Sequence, residues 1–163
     1  MIAPPRSGQR LPPATLAEMH FGEITPVRTE ALLAGKRSLL IGVPGAFTPV
    51  CSERHLPQFV EKADALLRSG FDQILVITPS DPFTVAAWAP TVDPDGKLRF
   101  LSDGNLEFTR RCGLTSHEKE FFLGERSCRY LMIVQDAVLE RLNIETSVLN
   151  VTCTRAGAVE LAA

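Results

Sequence analysis

The sequence predicts an α/β fold, a mixed central sheet with helices packed on both of its faces. Three observations carry that prediction. Apolar runs of strand length alternate with stretches of helical periodicity through the middle of the chain, and the runs are continuously apolar, as in strands buried on both sides. The last two predicted strands are joined too tightly to be parallel, which makes the sheet mixed. At 163 residues the chain is sized for one domain with a core of its own, so residues 1–163 are read as a single unit.

After a proline-rich arm, Thr15 to Pro26 has weak strand character and reads as a small hairpin. Ser38-Leu39-Leu40-Ile41-Gly42-Val43 is the first core strand, stopped by Pro44-Gly45. From Cys51 to about Ser69, the apolar residues Leu56, Phe59, Val60, Ala63, Leu66 and Leu67 recur at helical spacing, and Gly70 stands where such a helix would end. Gln73 to Thr78 is a second buried strand. Asp81 and Pro82 open a helix expected to run to about Trp88 and to stop before Pro90, which has no N–H to continue it. Leu98 to Leu101 reads as a strand, and Ser102-Asp103-Gly104-Asn105 as the start of a helix through about Cys112, closed by Gly113. Tyr130 to Gln135 and Val138 to Ile144 form a hairpin turning at Asp136-Ala137. Among mixed-sheet folds, the thioredoxin-like one has this order of elements.

Composition excludes several classes of function. Seventeen Lys and Arg against nineteen Asp and Glu give a net charge of −2, with no cationic surplus to neutralise nucleic acid or an anionic membrane. A hydrophobic share of 45% with 22% charged residues is far from the composition of disordered chains. No apolar run approaches the length of a membrane span, and the first ten residues lack a signal-peptide block, so a cytoplasmic address is expected. The four cysteines, Cys51, Cys112, Cys128 and Cys153, contain no C-x-x-C pair, so neither zinc nor a dithiol motif is indicated.

Chemistry concentrates in Pro44-Gly45-Ala46-Phe47-Thr48-Pro49-Val50-Cys51, a loop leaving the carboxyl end of a central strand, where α/β sheets bind ligands. It delivers Cys51 to a helix N-terminus, whose unpaired amides and dipole favour thiolate over thiol. Thr48 can place a hydroxyl beside that sulfur, and Pro44 and Pro49 stiffen the loop. Taken alone, a Thr-x-x-Cys is more often a helix cap followed by a buried structural cysteine. His55, one turn after Cys51, could pair with it for acyl transfer or metal binding; a histidine that orders the helix start is the plainer reading, because no third ligand is evident.

The context decides in favour of chemistry. The string from Val43 through Thr48-Pro49-x-Cys51-Ser52 to His55-Leu56-Pro57 resembles the active-site signature of peroxiredoxins of the type 5, or type II, subfamily. Gly104-x-x-x-Phe108, Arg129-Tyr130-x-Met132-x-Val134-x-Asp136 and Leu142-Asn143-Ile144-Glu145 resemble later parts of the same family. The resemblance implies a thioredoxin-like fold and a thiol peroxidase with Pro44, Thr48, Cys51 and Arg129 on its four active-site positions. Cys51 would attack a peroxide oxygen to give a sulfenic acid, Thr48 would hold the peroxide, Arg129 would stabilise developing charge and Pro44 would shield the sulfur. It implies hydrogen peroxide and alkyl hydroperoxides as substrates, no metal or other cofactor, thioredoxin, glutaredoxin or glutathione as reductant, and a homodimer.

Arg126 rivals Arg129 as the site cation, but the two would face opposite ways along one extended strand, and the resemblance assigns the residue next to Tyr130. By the same alternation Cys128 faces away if Arg129 faces the site, while Cys112, near Leu106 and Leu114, reads as an inert small hydrophobe. Asn150 to Arg155 reads as a polar, exposed loop and resembles the resolving-cysteine loop of atypical two-cysteine members, which implies a Cys51–Cys153 disulfide on oxidation. A one-cysteine cycle resolved by glutathione or glutaredoxin is the alternative. Outside the family, a Cys51/His55 acyl-transfer enzyme and a non-catalytic thioredoxin-like redox binding module compete.

Overall fold

The computed structural model describes residues 2–160. In chain order its elements are β1 (Thr15–His20), β2 (Glu23–Arg28), α1 (Thr29–Leu33), β3 (Arg37–Gly42), α2 (Leu56–Arg68), β4 (Gln73–Thr78), α3 (Pro82–Val92), β5 (Arg99–Ser102), α4 (Glu107–Arg111), β6 (Thr115–Glu118), β7 (Gly124–Ser127), β8 (Tyr130–Gln135), β9 (Val138–Ile144) and α5 (Ala156–Glu160). Seven strands make one mixed sheet, ordered β2-β1-β5-β4-β3-β8-β9, with β6 and β7 as a separate antiparallel pair. The expected α/β architecture and thioredoxin-like fold are what the chain adopts.

Alternation along each buried strand splits the core in two. Leu39, Ile41, Ile74, Val76, Leu131 and Ile133 point to one face, which Leu56, Phe59, Ala63 and Leu66 of α2, Trp88 of α3 and Val159 of α5 cover. Leu40, Leu75, Ile77, Met132 and Val134 point to the other, under Leu32 and Leu33 of α1 and Phe108 of α4. Both faces of β3, β4 and β8 are therefore buried, which is why their sequences are unbroken apolar runs.

Two registers build the site. β3 runs parallel to β4 and antiparallel to β8, with Gly42 opposite Tyr130. A Cβ on Gly42 would lie 1.9 Å from the Tyr130 ring, so only glycine lets that ring cross the end of β3. Because Tyr130 pairs with the last residue of β3, Arg129 stands beside the point where the chain leaves β3 toward Cys51.

The structure corrects four expectations. The helix expected from Cys51 is α-helical only from Leu56; Val50–His55 is a π-helical turn in which the Leu56 N–H bonds the Cys51 carbonyl. Pro57 has no N–H to offer the Glu53 carbonyl, which removes one bond of the α ladder just where the turn widens. α3 passes through Pro90 to Val92, its last turn held by Thr91 Oγ1 donating to the Trp88 carbonyl and the Asp93 N–H donating to the Ala89 carbonyl. Ser102 is still strand, and α4 starts only at Glu107, where the buried Asp103 carboxylate accepts the Phe108 and Thr109 N–H groups. Arg126 lies in β7, in the second sheet, and not on the strand that carries Tyr130.

Candidate active site

The loop 44–49 between β3 and the π-helical turn is fixed from below. The Ala46 N–H donates to Ser80 Oγ at 3.0 Å, and Thr48 Oγ1 donates to the Gly45 carbonyl at 2.8 Å. Spending its hydrogen on Gly45 leaves the Thr48 oxygen to act as an acceptor toward a substrate. Trp88 is fully buried in the core, and its indole N–H donates to Ser52 Oγ at 2.9 Å, tying α3 to the turn beside Cys51.

The Cys51 side chain is completely buried, and the group that meets its sulfur is Arg129, with Nη2 at 3.3 Å. Arg129 is itself only 1% exposed. Its guanidinium is held in a fork: Nε and Nη2 donate to the Val148 carbonyl at 3.1 and 2.8 Å, and Nη1 donates to His55 Nδ1 at 2.8 Å. None of its partners among the described residues is a carboxylate, so this buried cation has only neutral acceptors and the Cys51 sulfur around it. The fork thus sets a buried cation within hydrogen-bond distance of the Cys51 sulfur.

His55 does not order the helix start as expected. Its Nε2 contacts the Thr154 carbonyl at 2.9 Å, and a carbonyl can only accept, so Nε2 carries the proton and Nδ1 is the lone pair that receives Arg129. Burial first, and then the charge of Arg129, push the imidazole down to about 3, so it is neutral. Both ring nitrogens are occupied by groups other than Cys51, which argues against a Cys51/His55 pair of either kind. Among the described residues no cluster of three His, Cys, Asp or Glu side chains suits a metal ion.

Thr154 is fixed in turn by Glu145. That carboxylate accepts the N–H and the hydroxyl of both Thr152 and Thr154, at 2.6 to 3.0 Å. Burial alone would raise the Glu145 carboxyl, but these bonds bring it down to about 2. Sequence reasoning missed this clamp and the Val148 carbonyl: residues 55, 129, 145, 148 and 154 meet only through topology, and no spacing in the chain signals it. Against Arg129 and the loop that precedes Cys51 opens a cavity of about 360 Å³, lined by Pro44, Thr48, Phe121, Leu123, Arg129 and Leu149 among others.

Residues 6–159 match the Redoxin family. Peroxiredoxin-2B of Arabidopsis thaliana is 37% identical over 89% of this chain and 90% of its own length. The chain belongs to the peroxiredoxin family. The chloroplastic peroxiredoxin-2E-2 of Oryza sativa subsp. japonica is 42% identical over 85% of the chain, which spans 64% of that relative's length. Among solved structures, reduced Prx3 of Vibrio vulnificus in complex with hydrogen peroxide is 35% identical with a TM-score of 0.89, over 99% of this chain and 96% of that one.

The remaining cysteines of this peroxiredoxin are free thiols, as is Cys51, and each sits differently. Cys112 is buried on the opposite face of the sheet, where burial and the nearby Asp103 carboxylate push its thiol up to about 12. Cys128 Sγ turns to the Thr115 carbonyl, and burial raises it too. Cys153 is less exposed than expected: half-buried between the clamped Thr152 and Thr154, with Sγ 3.5 Å from the Ile144 carbonyl. Arg126 donates to the Leu123 carbonyl and belongs to the β6–β7 pair, so among the described residues it is Arg129 that meets Cys51, for a different reason than strand alternation.

Proposed function

We propose that the protein is a thiol-dependent peroxidase. A Cys51 thiolate attacks one oxygen of a hydroperoxide, the O–O bond breaks, and the second oxygen leaves as water or alcohol after taking up a proton, giving Cys51 sulfenic acid. The observation that carries this reading is the buried Arg129 guanidinium donating to Cys51 Sγ with no carboxylate among its partners. Held by His55 and Val148, the same fork presents fixed N–H donors where the leaving oxygen gains charge. Thr48 accepts the peroxide hydrogen, and Pro44 forms part of the wall beside it. The mainly apolar lining suits alkyl hydroperoxides as well as hydrogen peroxide.

In the second step Cys153 sulfur attacks the sulfenic acid, water leaves, and a Cys51–Cys153 disulfide forms for reduction by thioredoxin, glutaredoxin or glutathione. Cys153 and its neighbours are engaged with Ile144 and Glu145, so that step requires the turn 152–154 to open. The same engagement favours, as the second reading, a one-cysteine cycle in which an external thiol resolves Cys51. Exposed Phe47, Phe121, Phe122 and Leu149, in or next to segments that line the cavity, give an apolar rim that a second copy would cover in a homodimer.

One experiment tests the core of the reading. Intact and peptide mass spectrometry after one equivalent of peroxide, with a sulfenic-acid trap, should place a single adduct on Cys51, and without the trap a Cys51–Cys153 link. No rapid product on Cys51 would refute the peroxidase; trapped Cys51 with Cys153 always free would leave the peroxidase and select the one-cysteine cycle.

A further inference from the structure

Two side chains that never touch Cys51 form a continuous path to it. Glu145 receives four hydrogen bonds from Thr152 and Thr154; the Thr154 carbonyl receives His55 Nε2–H; His55 Nδ1 receives Arg129 Nη1; and Arg129 Nη2 reaches Cys51 Sγ. The components are enclosed: His55 and Thr154 are 0% exposed, Arg129 1% and Glu145 7%. Each link fixes the next by direction as well as distance. The carbonyl of Thr154 determines which imidazole nitrogen keeps the proton, and only the other can accept from an arginine, which never deprotonates.

We propose that His55 and Glu145 are positioning residues for the peroxide-reducing step: they aim the Arg129 guanidinium at Cys51, Glu145 acting through the Thr154 carbonyl and His55 acting directly. This rests on the peroxidase reading. Arg129 has a flexible stem, and without an acceptor at Nη1 its fork is tied to Val148 alone and can swing off the sulfur. Misplacement of a reacting group by about 1 Å costs on the order of 10²-fold in rate.

The chemistry of the imidazole supplies a crossed pair of substitutions. In His55→Asn the amide oxygen sits where Nδ1 was and can still accept from Arg129, while the link to Thr154 is lost. In His55→Gln the amide reaches to the depth of Nε2 and can still donate to Thr154, while the acceptor for Arg129 is lost. Both are made in a Cys153→Ser background, so that stopped-flow oxidation of Cys51 by hydrogen peroxide is read without the resolving step, and near-ultraviolet circular dichroism reports the folded fraction.

Oxidation is expected to slow about 100-fold in His55→Gln and about 10-fold or less in His55→Asn. Glu145→Gln alone should slow it about 10-fold, and should add nothing further in a His55→Gln protein, because both then act on a path already cut. Equal rates in folded His55→Gln and its parent, faster oxidation in Gln than in Asn, or independent multiplying losses for His55 and Glu145 would each overturn the proposal. A parent protein whose Cys51 is not oxidised by peroxide would instead sink the peroxidase reading on which it rests.

Discussion

Cys51 and Cys112 are matched in burial, at 0% and 1% exposure, and lie under opposite faces of the same sheet. Their surroundings have opposite sign. Cys112 packs in an apolar cluster with Phe108, Leu114 and Tyr130, and the nearest influence of charge is the Asp103 carboxylate; burial and that carboxylate take its thiol up to about 12. Cys51 meets a guanidinium at 3.3 Å. What differs is the charge beside each sulfur: a carboxylate near Cys112 and, at Cys51, a guanidinium whose other hydrogen-bond partners are neutral.

The broadest contrast comes from removing each sulfur. Cys51→Ser should abolish peroxide consumption, whereas Cys112→Ala should leave it intact, both followed by peroxide loss in a coupled assay with excess dithiol. Peroxide consumption that survived Cys51→Ser would move the reaction to another cysteine and break the comparison. The next effect sharpens it by keeping the charge and discarding the fork: Arg129→Lys cannot satisfy Val148, His55 and Cys51 together, and stopped-flow oxidation should slow by on the order of 10²-fold. An unchanged rate would mean that a point charge suffices and that the hydrogen-bonded geometry around Arg129 is incidental.

The two regions also differ in how far they could be read in the chain. The apolar runs of β3, β4 and β8 and the loop from Pro44 to Cys51 were legible because a doubly buried strand and a turn of Gly and Pro leave local marks. β6 and β7, Thr-Ser-His-Glu and Gly-Glu-Arg-Ser, were not: they pair outside the main sheet, bury little and carry no alternation. The short helices α1 and α5 are five residues each, too brief to show a period. The resemblance put Arg129 beside Cys51, but the acceptors that hold it, one of them a backbone carbonyl, come from distant segments joined by the register of β8 against β3 and β9.

Acid distinguishes the polar side of the sheet from the apolar one. His55 titrates near 6.5 when unfolded and is pushed down to about 3 when folded, so between those values the unfolded chain binds more protons and stability falls as pH falls. Glu145, brought down from 4.5 to about 2, has the same sign in a lower window. Urea unfolding should therefore lose about 2 kcal/mol between pH 7 and pH 4.5, most of it from His55. His55→Asn should flatten that slope, and a slope unaltered by the substitution would assign the acid sensitivity elsewhere.

The smallest effect isolates what Cys112 does. Its sulfur is a space-filler between α4 and the sheet, in a cluster that includes Phe108, Leu114 and Met132. Cys112→Ala removes one heavy atom from a closed site and should cost about 1 kcal/mol, read as a lower urea midpoint with an unchanged slope. Cys112→Ser should cost more although it conserves volume better, because a hydroxyl placed there is desolvated and has to find a partner among apolar neighbours. Iodoacetamide at pH 8 gives the complementary reading: the two thiols are equally buried, so with its thiol pushed up to about 12 Cys112 should be labelled much more slowly than Cys51 in the native protein. Native labelling of Cys112 at a rate comparable to Cys51 would show that the sheet opens on that face, and the distinction would then lie in dynamics and not in the charge beside each sulfur.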